Sequence, residues 1–472
     1  MQEVKVIART FESQNENEQD TAKMNEELAV FSGKAAGVCY MAEDYLEAGI
    51  QDAEKALTRV KGNAKSGHHS VAGHATLSFS VKTNKMMMML LNSIGLSCAS
   101  EKSARYTKMQ PETDKELELY NKWRNIIREM ILERYPKTDD AMLNTRFKKF
   151  FSEAIDSKAV DDAPVIIDGE FANLRDDEYK QVFLDKLAEL KTSDTLPSCK
   201  LAQENARYMI SVFTPTTAIY SLAFREVFYL IDHLKRLEEN TVDAQDVISK
   251  KLNKYAEELR EQFEKAIGES RIHDNKNQYF RLLENQYINE VLTEDPSFIE
   301  LDEAYKAKEE VIGDAYTIVH YDSLAALAQQ HRHRTLRYSM MIKYVGQYGY
   351  FIPPIVEAEG MAEEWLDDIS SIRYCVPQGT IVRITEQGLF EDFVLKCKER
   401  MCGRAQLETM RATTLTVRKF FENRDKLSKL NQNLLDGIVD EDGNPKARCL
   451  YSDFVCSEGC QWGYAKALTR LI

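Results

Sequence analysis

The sequence lacks an excess of basic residues. Its 62 lysines and arginines face 76 aspartates and glutamates, for a net charge of −14. That balance argues against a dedicated nucleic-acid binder, because counterion release needs a basic surface. A long hydrophobic run is also missing. The greasiest stretch, Met86 to Leu91, is far shorter than the roughly 20 residues a membrane helix needs. No secretory hydrophobic segment follows Met1. Nine cysteines are scattered without a single C-x-x-C pair, and Cys456 with Cys460 makes a poor metal half-site. These absences predict a cytoplasmic protein with reduced thiols, no metal, no nucleic acid and no membrane. At 472 residues there is ample chain for two or more cores.

What is present is concentrated. Gln329-Gln330-His331-Arg332-His333-Arg334 follows an apolar segment, Leu324 to Ala328. Its arginines offer planar forks of donors to an anion, and its histidines a nitrogen that titrates near neutrality. In an acidic chain such a cluster points to an anionic ligand. A second cluster lies at Ser100-Glu101-Lys102-Ser103-Ala104-Arg105-Tyr106. In an extended segment, alternation puts Glu101, Ser103 and Arg105 on one face. A carboxylate, a hydroxyl and a guanidinium together suit a phosphorylated, hydroxyl-bearing ligand.

Along the chain, Val4 to Phe11 alternates as a strand, and residues 24–65 carry helical spacing until Ser66-Gly67-His68-His69-Ser70 breaks it. Thr76 to Val81 reads as a strand, followed by a Met-rich helix with a buried face. Residues 112–200 are charged and helical, with the character of an insertion or subdomain. A helix runs through Phe224 to Ile231, and Asp243 to Ile248 reads as a shorter one.

The second half repeats this plan. Tyr316 to His320 takes the place of the Phe79 strand, and Leu324 to Gln330 that of the Met-rich helix. Arg332-His333-Arg334 then falls where the first half has Ser93-Ile94-Gly95. Ile372-Arg373-Tyr374-Cys375-Val376-Pro377 echoes Ala206-Arg207-Tyr208-Met209-Ile210-Ser211, and Arg404 to Glu408 echoes Asp243 to Val247. The expected fold is α+β: two diverged domains in tandem, 1–265 and 266–472, each a sheet flanked by helices, the first with a helical insertion at about 112–200.

With both clusters in view, the chain resembles the flavin-dependent thymidylate synthases, the ThyX family. That family carries R-H-R-x-x-S-x-N-E-x-S-x-R-Y in one run. Here Arg332-His333-Arg334 stands in the second half and Ser100-Glu101-Lys102-Ser103-Ala104-Arg105-Tyr106 in the first, with Ser100 for Asn. Gly67-His68-His69-Ser70-Val71-Ala72-Gly73-His74 is similar to the family's G-H-x-[ST]-x-x-x-H segment.

The resemblance implies a reductive methylation of dUMP to dTMP, with FAD as cofactor and 5,10-methylenetetrahydrofolate and NADPH as co-substrates. It assigns Arg332, His333, Arg334, Ser70 and Arg404 to the flavin. It assigns Gln329, Glu101, Ser103, Arg105, Tyr106 and Arg383 to the nucleotide. His68 lies near flavin and folate in the family. The family's uracil-polarising arginine corresponds to Arg411, although the run Ala405 to Arg411 is one residue longer, a turn of about 100° on a helix. His74 reads equally well as a core histidine. Because the family is tetrameric, a homodimer of this chain is implied. The departures leave two alternatives: a flavin and folate enzyme modifying another pyrimidine nucleotide, and a non-catalytic nucleotide- or flavin-binding homologue.

Overall fold

Alternating apolar and polar residues, read as strands above, build two separate antiparallel sheets. The computed structural model describes residues 2–9, 21–40, 48–66, 73–93, 97–103, 109–154, 163–174, 179–268, 312–333, 335–340, 345–454, 456 and 460–472. In chain order the first half contains β1 (Glu3–Arg9), α1 (Thr21–Tyr40), α2 (Ala48–Gln51), α3 (Ala53–Ser66), β2 (Thr76–Asn84), α4 (Lys85–Ser93) and β3 (Ser97–Glu101). It continues with α5 (Asp114–Arg134), α6 (Asp140–Ala154), a small hairpin of β4 (Ile166–Ile167) and β5 (Glu170–Phe171), α7 (Lys180–Lys191) and α8 (Pro197–Ala206). It closes with β6 (Pro215–Ala223), α9 (Phe224–Thr241) and α10 (Val247–Ile267).

The second half contains β7 (Ala315–Ser323), α11 (Leu324–Gln330), β8 (Arg337–Met340), α12 (Pro354–Ala358), α13 (Ala362–Ser371), β9 (Ile381–Leu389), α14 (Phe390–Arg400), α15 (Leu407–Glu422) and α16 (Lys429–Ile438). The first sheet runs β1-β2-β6-β3 and the second β7-β9-β8. Both therefore place a later strand between two earlier ones that are linked by a helix.

The likeness extends to register. Thr76 pairs with Ala223 and Asn84 with Pro215, as Ala315 pairs with Leu389 and Ser323 with Ile381. The displacement that carries β2 onto β7 also carries Cys98, opposite Ser221, onto Arg337, opposite Gln387. The strand-to-helix corners match bond for bond. Asn84 Oδ1 accepts from the Met87 amide at 2.9 Å, and Ser323 Oγ from the Ala326 amide at 3.1 Å. Both are N-caps that satisfy a first-turn donor. The amides of Lys85 and Met86 donate to Thr214 and Val212, as those of Leu324 and Ala325 donate to Thr380 and Gln378.

At the seam between the halves, the Val212 amide donates to the Val376 carbonyl at 2.9 Å. In return the Gln378 amide donates to Ile210 at 2.8 Å. Ser211 and Pro377 face each other across this exchange. Gly379 follows it, held through its amide to Tyr208. An added Cβ would lie 2.8 Å from Ile369 Cδ1 and 3.1 Å from Tyr208 Cβ. Gly379→Ala is therefore expected to cost about 1–3 kcal/mol by overpacking, measured as a lower urea midpoint at unchanged slope.

One core serves both sheets. Leu77, Phe79, Val81, Tyr220 and all six residues from Met86 to Leu91 are buried in the same cluster as Ile318, Ile384, Phe390, Phe393 and Phe420. The Met-rich run is thus packing material, as its composition suggested.

Three expectations change. Residues 112–200 divide rather than form one appendage. Leu143, Phe147, Phe151, Phe183 and Leu187 build a small core of their own, but α5 packs into the seam. There Trp123 meets Trp365 edge-on at 4.9 Å, and Lys122 pairs with Asp368. The short helix at Asp243 to Ile248 is instead the cap and start of the 21-residue α10: Asp246 accepts from the Ser249 amide. The polar cap masked the apolar period behind it. His74 is exposed and is no core residue.

Candidate active site

Lys85 opens α4 where β2 ends, and alternation along β3 turns Glu101 to the same side of the sheet as Ala99. The Lys85 ammonium lies 2.5 Å from Glu101 Oε1 and 2.9 Å from the Lys102 carbonyl. Thr216 Oγ1 on β6 donates to the same carboxylate at 2.9 Å. Burial lowers the Lys85 pKa against the opposing pull of Glu101, and repulsion from Arg207 and Arg332 lowers it further. Glu101, from the first half, and Arg332, from the second, therefore act on one ammonium.

Arg332 stands exposed just past the end of α11. The turn around it is fixed from inside. His331 Nε2 lies 3.4 Å from Ser93 Oγ at the end of α4. His333 is buried, and its Nε2 accepts from Arg400 Nε at 2.7 Å. Burial, reinforced by Arg400, takes its pKa down to about 3, so the ring is a neutral acceptor. Gln329 is also buried, and Gln330 donates to Asp322 at 2.9 Å.

Behind this turn is a buried ionic cluster that sequence reasoning missed. Lys396 Nζ lies 2.6 Å from Glu386, and both side chains are almost wholly buried. Tyr316 donates to Glu386 at 2.7 Å. His320 sits with Nδ1 2.8 Å from Asp322 and Nε2 3.5 Å from Glu386, contacts of charge rather than aligned hydrogen bonds. Burial opposes the charged ring, but the two carboxylates outweigh it and raise its pKa to about 9. Glu408, at the head of α15, ties the halves together. It accepts from the Ser323 amide and hydroxyl, each at 2.6 Å, and from Tyr208 at 3.0 Å. Burial, with Asp322 nearby, raises its pKa to about 7.

The remaining sequence candidates are dispersed. Ser103 is two residues past Glu101. Arg383 is half-buried on β9 opposite Tyr321. Arg404 is exposed on the wall of a cavity of about 830 Å³ that also borders Arg448, Trp462 and Cys402. Arg411 lies on α15 with Glu357 as its charged neighbour, and burial lowers its pKa. His68, Ser70, Arg105, Tyr106 and Arg334 lie outside the described residues.

The sequence model of the thymidylate synthase complementing protein family matches residues 21–267, more than half of the chain. The chain belongs to that family. Among solved structures, it is similar to thymidylate synthase X from Helicobacter pylori, crystallised with FAD and dUMP. The identity is 17%, over 57% of this chain and 100% of that one, with a TM-score of 0.25. No curated protein matches. The family match spans Glu101 and ends before Arg332. Among the described residues, no group of His, Cys, Asp and Glu could hold a metal ion, and no helix is long and apolar enough to cross a membrane.

Proposed function

We propose that the chain is a flavin-dependent thymidylate synthase whose working site combines two diverged copies of one domain, 1–265 and 266–472. The observation that carries this reading is the Lys85–Glu101 pair of the first half, which lies within electrostatic reach of Arg332 from the second. The matched strand order, register and corner bonds support the duplication. In this reading the two parts of the signature, lost from opposite copies, complement each other.

Roles follow by position. Glu101, Ser103, Arg105, Tyr106, Gln329 and Arg383 bind dUMP, with Lys85 and Thr216 orienting the Glu101 carboxylate as an acceptor. Arg332 fits an anionic cofactor group, since its guanidinium is exposed at the seam. Arg334, Ser70 and Arg404 complete the flavin contacts, and His68 stands near the folate. His333, turned inward onto Arg400, holds the turn that presents Arg332. Arg411 polarises the uracil.

When bound, FAD reduced by NADPH supplies hydride and 5,10-methylenetetrahydrofolate supplies the carbon. The chain's own contribution is to orient the pyrimidine and to stabilise its developing negative charge. A homodimer would rebuild the family's four-domain assembly. Formation of dTMP from dUMP by purified, flavin-loaded protein tests the reading. A yellow protein that binds dUMP without turnover would move it to the non-catalytic homologue.

A further inference from the structure

Glu408, at the head of α15, is 3% exposed, and its carboxylate joins residues from opposite halves. From the second half it takes the amide and hydroxyl of Ser323, the N-cap of α11. From the first it takes the hydroxyl of Tyr208, in the short turn after α8. The same hydroxyl accepts from Gln406 Nε2 at 3.0 Å, so Tyr208 has no other acceptor to turn to. α11 is only seven residues long, and its far end presents Gln329 and then Arg332. The bridge therefore sets where the second half's cation stands against the Lys85–Glu101 pair of the first.

The duplication calls for a second bridge of this kind, and the described residues do not build it. The strand registers make Asn84 the counterpart of Ser323, and the two Arg-Tyr turns make Tyr374 the counterpart of Tyr208. Tyr374 is 51% exposed, and the buried Nδ2 of Asn84 makes no hydrogen bond. The helix at the place of α15, α10, begins with Val247 and Ile248. A purely structural brace would serve either half. The one that exists stands on the helix leading to Arg332, and α4, where Ser93 takes that arginine's place, has no such brace among the described residues.

We propose that Glu408 is the positioning residue of the composite site, and that it works as the carboxylate rather than the acid. The ligands named below rest on the function proposed above; the bridge itself does not. Three donors converge on the group, and a proton on it weakens it as an acceptor and adds a buried hydrogen that needs an acceptor of its own. Burial favours the acid, as does Asp322 on β7, while the three donors favour the carboxylate, and the balance falls at about 7. Behind Asp322 lies His320. Around Tyr208 lie Arg207, which is buried, and Glu204. α11 itself carries no titratable side chain. Because the value is raised, ionising Glu408 lowers stability as pH rises through 7, so the carboxylate is not kept for stability.

Two measurements on the full chain test this. In the first, FAD binding is followed by its fluorescence at pH 6 and pH 8, with dUMP present. Wild-type affinity should rise about 5- to 10-fold over that interval, the worth of one hydrogen bond. Glu408→Gln, which cannot titrate, and Tyr208→Phe, which cuts the link to the first half, should be weaker than the wild type at pH 8 by the same factor and flat with pH. A drop that is equal at both pH values, or a wild-type profile retained in Glu408→Gln, would overturn the proposal. The second needs no ligand: hydrogen exchange of the segment from Ser323 to Gln330, corrected for intrinsic rates, should show protection that steps up near pH 7 in the wild type and in neither variant. That step in a wild type that binds no FAD would keep the bridge and remove the flavin. Its absence would overturn the bridge as well.

Discussion

Replacing Lys396 by methionine should destabilise the protein by about 3 kcal/mol, because the buried Glu386 carboxylate loses its nearer cation and keeps only His320 at 3.5 Å. Glu386 is wholly buried and Lys396 is 1% exposed, so water cannot take over the lost partner. The opposing attraction holds the Glu386 carboxyl far below the usual range despite burial. Glu386→Gln combined with Lys396→Met should lose much less than Lys396→Met alone, because the charge is then removed with its partner. The first half shows that the fold tolerates an uncharged solution: Tyr220 and Leu230 occupy the matching positions, both buried. Urea midpoints of the two single variants and the double variant measure this coupling. Additive losses would contradict the account.

Raising the pH from 7 to 10 should remove on the order of 3 kcal/mol through His320 alone, taking 1.36 kcal/mol per pKa unit as the conversion. The sign follows from the direction of the shift. The folded pKa is raised to about 9 against an ordinary 6.5, so the folded chain binds this proton more tightly. The contribution is complete below about 6.5 and lost as pH rises through 9. Glu408, raised to about 7, is half-titrated where that window opens, and most of its own stability change, which begins at the ordinary carboxylate pKa, lies below it. His320→Gln should flatten stability between pH 7 and 9, as read from thermal melts at fixed ionic strength. Because Asp322 also receives Gln330, the same rise should loosen the turn carrying Arg332 and weaken flavin binding above pH 9.

Much of this was legible in the sequence where a single period decides. The alternation at Thr76 to Val81 and Tyr316 to His320 and the apolar Met run stand where their patterns put them. The equivalence of Arg332 to Ser93 follows from an ungapped spacing that the strand registers repeat. What escaped notice depends on contacts distant in sequence. Nothing local marks Arg207 as buried while Arg373, in the same Arg-Tyr pair, is exposed. No local signal marks Asp322 or Glu386 either, yet the helix α14 brings Lys396 onto Glu386. Charged, weakly apolar α5 hid Trp123, whose partner Trp365 lies more than two hundred residues away.

The central claim is that one site draws on both halves of one chain. The direct test assays dTMP formation from dUMP, methylenetetrahydrofolate and NADPH by the wild type, by Glu101→Gln, by Arg332→Ala, and by an equimolar mixture of the two variants. The account predicts turnover by the wild type, a loss of about 100-fold or more in each variant, and no recovery in the mixture, because each chain carries one broken half of its own site. Full activity in either variant, or activity restored on mixing, would contradict it.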